Sequence, residues 1–153
     1  MKKFLAILLS MVMVMSLAAC GSGSAAEYYS GEVDWVEAGY EGDCIITNHV
    51  GLVLNGDGTY TLEDAFLVNQ VSGAIVFYTK TFYTGKYTAE KADADGIKTV
   101  SLQAPTSAVQ NLNGVVATSA EDADILPSFQ PDFSSIQVDT NSHAVVSTIP
   151  QHQ

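Results

Sequence analysis

Asn55-Gly56-Asp57-Gly58 stands between two stretches of alternating apolar and polar residues, and that arrangement commits the middle of the chain to antiparallel β-structure. Asn, Asp and Gly tolerate positive φ, which the tight turns of hairpins demand. Before the turn, Cys44, Ile46, Val50, Leu52 and Leu54 fall on one parity, interrupted by Asn48. After it, Tyr60, Leu62, Phe66 and Val68 share one face, with Thr59, Thr61 and Glu63 on the other. Successive strand side chains point to opposite faces of a sheet, so each stretch reads as one buried face and one wet face.

The pattern continues along the chain. Glu32-Val33-Asp34-Trp35 alternates as a half-buried strand does. Asn69–Gly73 reads as a second turn, and Ala74–Thr88 as a strand with apolar residues on both faces: Ile75, Phe77, Tyr83 and Tyr87 on one, Val76, Tyr78 and Phe82 on the other. Such a strand implies a bulge or a sheet covered on two sides. Asp93-Ala94-Asp95-Gly96 forms a third turn; Val100, Leu102 and Ala104 then point inward until Pro105 ends the strand. Val115–Thr118 offers another strand. Ser119-Ala120-Glu121-Asp122 fits an N-cap with an acidic third position, which predicts a short helix to about Leu126, before Pro127. Phe129-Gln130-Pro131-Asp132-Phe133 reads as a loop that packs two rings on the core. Ile136–Asp139 and Ala144–Ser147 pair around Thr140-Asn141-Ser142, and Gln151-His152-Gln153 frays. The expected fold is all-β: a small antiparallel meander barrel or sandwich of about six to nine strands with one short helix.

The N-terminus follows a different logic. Lys2-Lys3 precede an apolar run, Phe4–Leu17, and then Leu17-Ala18-Ala19-Cys20. The run has 14 residues, a helix of only ~21 Å at about 1.5 Å per residue, whereas a spanning helix needs about 20 residues. It suits a transient export signal, with the lysines held on the cytoplasmic side. Leu17-Ala18-Ala19-Cys20 resembles the Leu-Ala/Ser-Gly/Ala-Cys box of bacterial prolipoproteins position by position. That resemblance covers the first 20 residues and implies that Cys20 receives a diacylglyceryl group on sulfur and becomes the first residue of the mature chain. Two acyl chains hold a protein stably where one anchors marginally. The implied location is the extracytoplasmic face of a cell membrane, lipid-anchored. The organisation expected is a signal over 1–19, the lipidated Cys20 and a flexible Gly/Ser/Ala tether to 26, one β-rich domain over 27–149, and a frayed end over 150–153. Six residues of tether reach ~13 Å, so the domain sits close to the lipid.

Removing residues 1–19 takes away Lys2 and Lys3 and no carboxylate, so four lysines face 17 acidic residues and the charge moves from −11 to −13. The chain contains no arginine. Such a surface repels phosphate backbones, which excludes nucleic acid as a partner class. Cys44 is the only cysteine besides Cys20; it lies in the apolar stretch Cys44-Ile45-Ile46 and reads as an inert thiol.

Catalytic and metal motifs find no support. A calcium loop of EF-hand form needs a glutamate at position twelve, but counting from Asn55 gives Phe66, and from Asp93 gives Ala104. His49, His143 and His152 lack zinc spacing. No serine sits in a Gly-x-Ser-x-Gly elbow. Glu63-Asp64 and Glu121-Asp122 are adjacent and point apart in regular structure. No cofactor or metal is expected, and no enzymatic activity.

The aromatic residues carry the remaining signal. Trp35, Tyr60, Phe77, Tyr83 and Tyr87 lie on predicted strands, and a barrel interior lined by them would hold a small apolar or ring-bearing ligand. Gly58-Thr59-Tyr60-Thr61-Leu62 and Gly85-Lys86-Tyr87-Thr88 resemble the strand starts of lipocalin-like domains in bacterial lipoproteins, which implies a barrel ahead of a sandwich. Two readings follow. One is a membrane-anchored binding module for a small ligand or a partner protein. The other is a structural envelope lipoprotein whose aromatic residues simply fill a solid core.

Overall fold

The computed structural model describes residues 24–39, 42–71, 75–113, 115–120, 133–147 and 149. Nine strands follow in order: β1 (Glu27–Gly39), β2 (Gly42–Leu54), β3 (Thr59–Gln70), β4 (Ile75–Ala89), β5 (Ile97–Leu102), β6 (Ser107–Leu112), β7 (Val115–Ala120), β8 (Ser135–Asp139) and β9 (Ala144–Val145). The protein is all-β, with no helix among the described residues. The expected helix does not begin at Ser119: Ser119 and Ala120 finish β7, opposite Val109 and Ala108 of β6. Pairing with β6 and the β-branched run that precedes it outweigh the capping signal. Residues 121–126 of that expected helix lie outside the described residues, as do Phe129, the signal, Cys20 and 151–153.

The turn at Asn55 does what its residues predict. Gly58 adopts φ 84°, and its N–H donates to Asn55 O at 3.0 Å while Asn55 N donates to Thr59 O at 2.9 Å. The Asp57 carboxylate accepts from Thr59 N and Thr59 Oγ1. The Asp93–Ile97 turn repeats the device, with Asp93 Oδ1 accepting from Asp95 N and Ile97 N. Both turn carboxylates are therefore spent on local backbone.

β1, β2, β3 and β4 form a continuous antiparallel meander. The sheet order is β3-β2-β1-β9-β8-β5-β4-β6-β7, and a further β3–β4 pairing makes a circuit of β1, β2, β3, β4, β5, β8 and β9. The result is barrel-like at one end. The second edge of β4 is shared: Tyr87–Ala89 pair with β5, and Thr79–Thr84 with β6. Pro105 lies in the break between β5 and β6, where Gln103 N donates to Lys86 O and Thr106 N to Thr84 O. Ala104, read as inward, is exposed in this break because β5 has already ended at Leu102. The closed end thus comprises the start of β1, the end of β2, the start of β3, the end of β4, and β5, β8 and β9. The other halves of β1–β4, with the β6–β7 hairpin, form an open end. The seam is narrow: β1 meets β9 in parallel at Ser30 and Ala144.

The core fills the closed end. Tyr29, Val50, Leu52, Leu54, Tyr60, Leu62, Val100, Ile136 and Val138 are all buried, and Phe133 joins them from the loop before β8. The parities read from the sequence hold over most of these strands: even positions of β2 and β3 and, from Phe77 on, odd positions of β4 face inward, while the shift beside Asn69 breaks the parity at Ile75. Gly85 explains how the Tyr60 ring fits. The two residues are register partners, and a Cβ on Gly85 would come within 2.7 Å of the ring. The tyrosine lies over the glycine's missing side chain. The expected irregularity of β4 lies opposite Val68 and Asn69 of β3, but Tyr78 and Phe82 remain on the outward parity, so the strand stays apolar on both faces.

Candidate functional site

The predicted aromatic lining divides between the two ends. Tyr60, Tyr83 and Tyr87 come together in the core of the closed end, joined by Tyr29. Phe77 lies at the open end, against Phe66 at 6.3 Å between ring centroids in an edge-on arrangement. Trp35 occupies β1 opposite Ile46; its side chain lies outside the described residues.

Three of the closed-end hydroxyls serve the chain itself. Tyr60 donates to Gln103 O at 3.0 Å, Tyr87 to Asn55 O at 3.0 Å, and Tyr29 to the Glu27 carboxylate at 2.5 Å. Burial pushes the Tyr60 hydroxyl up to about 12. Burial raises Tyr29 and Tyr87 too, and the Glu27 charge adds to both. These groups stay neutral across physiological pH, and each is oriented by an internal acceptor.

At the rim of this core lies a cluster no local motif announced. Lys98 is on the inward parity of β5, and its ammonium pairs with Glu27 while lying 5.4 Å from the centroid of the Tyr29 ring. The His143 ring sits 5.9 Å from that of Tyr29. The ammonium would be costly to bury alone; a carboxylate and a ring face compensate it. Glu27 and Lys98 are 71 residues apart, so only the closed circuit reveals the pair. The cluster fastens Glu27, the first residue of β1. Ser24, ahead of β1, lies against the β2–β3 turn, since a Cβ on Gly56 would collide with the Ser24 backbone.

Lys98 first, then the Tyr29 hydroxyl, holds the Glu27 carboxyl below its ordinary 4.5. The unfolded chain therefore takes up this proton at a higher pH than the fold does. The stabilisation is complete above pH 4.5 and is lost as pH falls through the lowered folded value. Half-exposure of Glu27 screens it, so the effect is small. Glu27→Gln is expected to lower the urea midpoint at neutral pH and to flatten its decline in acid. An equally steep acid decline in the variant would remove this role from Glu27.

The open end has a different surface. Inward lie Ile46, Phe66, Val68 and Phe77; outward lie Val36, Ile45, Leu67 and Tyr78. Val36 stands opposite Ile45, and Leu67 opposite Tyr78, so these outward side chains are direct cross-strand neighbours. Val36 is 64% exposed and Val71, just past β3, 62%. Carboxylates border this patch. Glu32, Asp34 and Asp43 share its outward parity and are all exposed. Among the described residues, no three His, Cys, Asp or Glu side chains converge to hold a metal ion. His49 faces outward with its Nδ1 3.9 Å from Glu32, and Cys44 is half-buried.

Set against known proteins, the chain matches no family model, and neither curated proteins nor solved structures give a significant match.

Proposed function

We propose that this chain is a lipid-anchored extracytoplasmic protein that binds a partner protein through the open end of its sheet. The observation that carries the reading is the two-faced apolar character of β2, β3 and β4 at the end opposite the tether. A sheet end apolar on both faces is covered on both, and exposed contiguous apolar surface marks an interaction site. β1 has 13 residues, so it places that end about 40 Å from the tether along the strand, at ~3.3 Å per residue. The Leu17-Ala18-Ala19-Cys20 box supports the anchor. An interior ligand chamber has less support, because the closed-end tyrosines are packed together with three hydroxyls bound internally.

Two measurements test this in a bacterial host. Cys20→Ser is expected to abolish incorporation of labelled palmitate and move the protein from the membrane to the soluble fraction. A photo-crosslinking amino acid at Val36 or Leu67 is expected to give a protein adduct, whereas one at Thr88, at the closed end, gives none. An unlabelled wild-type protein would overturn the anchor, and adducts confined to position 88 would overturn the docking end.

A further inference from the structure

Resting on that reading, we infer that the partner contributes an extended, lysine-bearing segment that adds as a strand to the free edge of β1 from Glu32 to Val36. The edge is the first observation. Among the described residues, β1 pairs with β2 along one side, but on its other side it pairs only with Ala144 of β9, at Ser30, with Val145 and Ile149 lying against Gly31. Ser30 N donates across that side to His143 O at 3.1 Å. Backbone donors alternate between the two sides of a strand. The N–H groups of Glu32, Asp34 and Val36 therefore point the same way as that of Ser30, toward the side where no described strand pairs with them. Such a row is a template for one more strand.

Charge identifies the occupant. On the outward face the edge presents Glu32, Asp34 and Val36, all exposed. Two copies of this chain paired through β1 would set carboxylates among carboxylates, with the net negative charge of each chain, −11 before and −13 after loss of residues 1–19, adding to the repulsion. A strand alternating lysine with an apolar residue reverses the sign. It sets ammonium groups beside Glu32 and Asp34 on the outward face and apolar side chains on the opposite face, the parity of Val33 and of Ile46 on β2. The protein's own lysines do not compete for these sites. Lys80 is bound to Glu63 and Lys98 to Glu27, while Lys86 and Lys91 lie at or beyond the closed-end half of β4.

The test uses the full lipidated protein in detergent micelles and three nine-residue probes: alternating Lys-Val, alternating Glu-Val and alternating Lys-Ser. Residue-level amide exchange is the readout. The Lys-Val probe is expected to slow exchange at Glu32, Asp34 and Val36 at least ten-fold. N-methylation of alternate probe residues is expected to abolish that protection. The double variant Glu32→Lys/Asp34→Lys is expected to weaken the Lys-Val probe at least ten-fold and to admit the Glu-Val probe. Equal protection by Glu-Val on the wild-type protein would overturn the basic partner while leaving docking at this end intact. Equal protection by Lys-Ser would reduce the effect to charge alone and overturn the segment's apolar half. Protection confined to Leu67 and Tyr78 would overturn strand addition. No protection by any probe would overturn the whole inference, while the crosslinks from Val36 and Leu67 decide the docking reading separately.

Discussion

Tyr60→Ala is expected to cost the domain about 3–5 kcal/mol, the usual range for deleting a fully buried aromatic ring. Tyr60 is 0% exposed, its ring covers Gly85 and its hydroxyl ties β3 to Gln103 beyond β5. Truncation leaves a void over a residue with no side chain to collapse into it. Typical domains hold only about 5–15 kcal/mol in all, so this one change removes a large share. Tyr60→Phe isolates the hydroxyl: it keeps the ring, leaves the Gln103 carbonyl without its donor and costs about 1 kcal/mol. Urea unfolding of the two variants reads both values. An alanine variant within 1 kcal/mol of wild type would mean that the closed end can repack, contrary to a ring fixed on glycine.

Lys80→Met is the second large effect, at about 3 kcal/mol. Glu63 is on the outward parity of β3, between Gly51 of β2 and Phe82 of β4, yet its side chain is only 7% exposed. Lys80 reaches it at 2.8 Å and is itself 22% exposed. Removing the lysine strands a charge in a poorly hydrated place. The double variant Glu63→Met/Lys80→Met is expected to recover most of the loss, since replacing both members of a buried pair by apolar groups is often neutral. A double variant as unstable as the single one would mean that Lys80 acts through its aliphatic stem instead.

How much of this was legible beforehand depends on where each residue's constraint comes from. Asn55–Gly58, Asp93–Gly96 and the alternation around them announce β2, β3 and β5 because turn chemistry and parity are local. Ile136–Asp139 and Ala144–Ser147 announce the β8–β9 pair for the same reason, and Val138 does face Val145. β6 was not announced. Its inward positions are Ala108, Gln110 and Leu112, with Val109 outward, so no alternation marks it; the open edge of β4 makes it a strand. The buried Glu63 likewise reads as a wet-face residue until Lys80 is brought across from β4. Of the aromatic set, Tyr60, Tyr83 and Tyr87 were legible as inward residues. Their hydroxyl partners are 43 and 32 residues distant for Tyr60 and Tyr87, and no spacing rule reaches that far. The Glu27–Lys98 pair is hidden in the same way.

The register of β1 against β2 has a mechanical consequence. Under the proposed anchoring and docking, the lipid pulls on β1 at Glu27 and the partner grips the same strand near Val36. Tension between lipid and partner then runs along β1, at right angles to the hydrogen bonds that join it to β2. Both loads act on β1 itself, so the pull passes through its covalent backbone into the partner's strand, and the thirteen residue pairs from Glu27–Leu54 to Gly39–Gly42 serve to hold β1 extended.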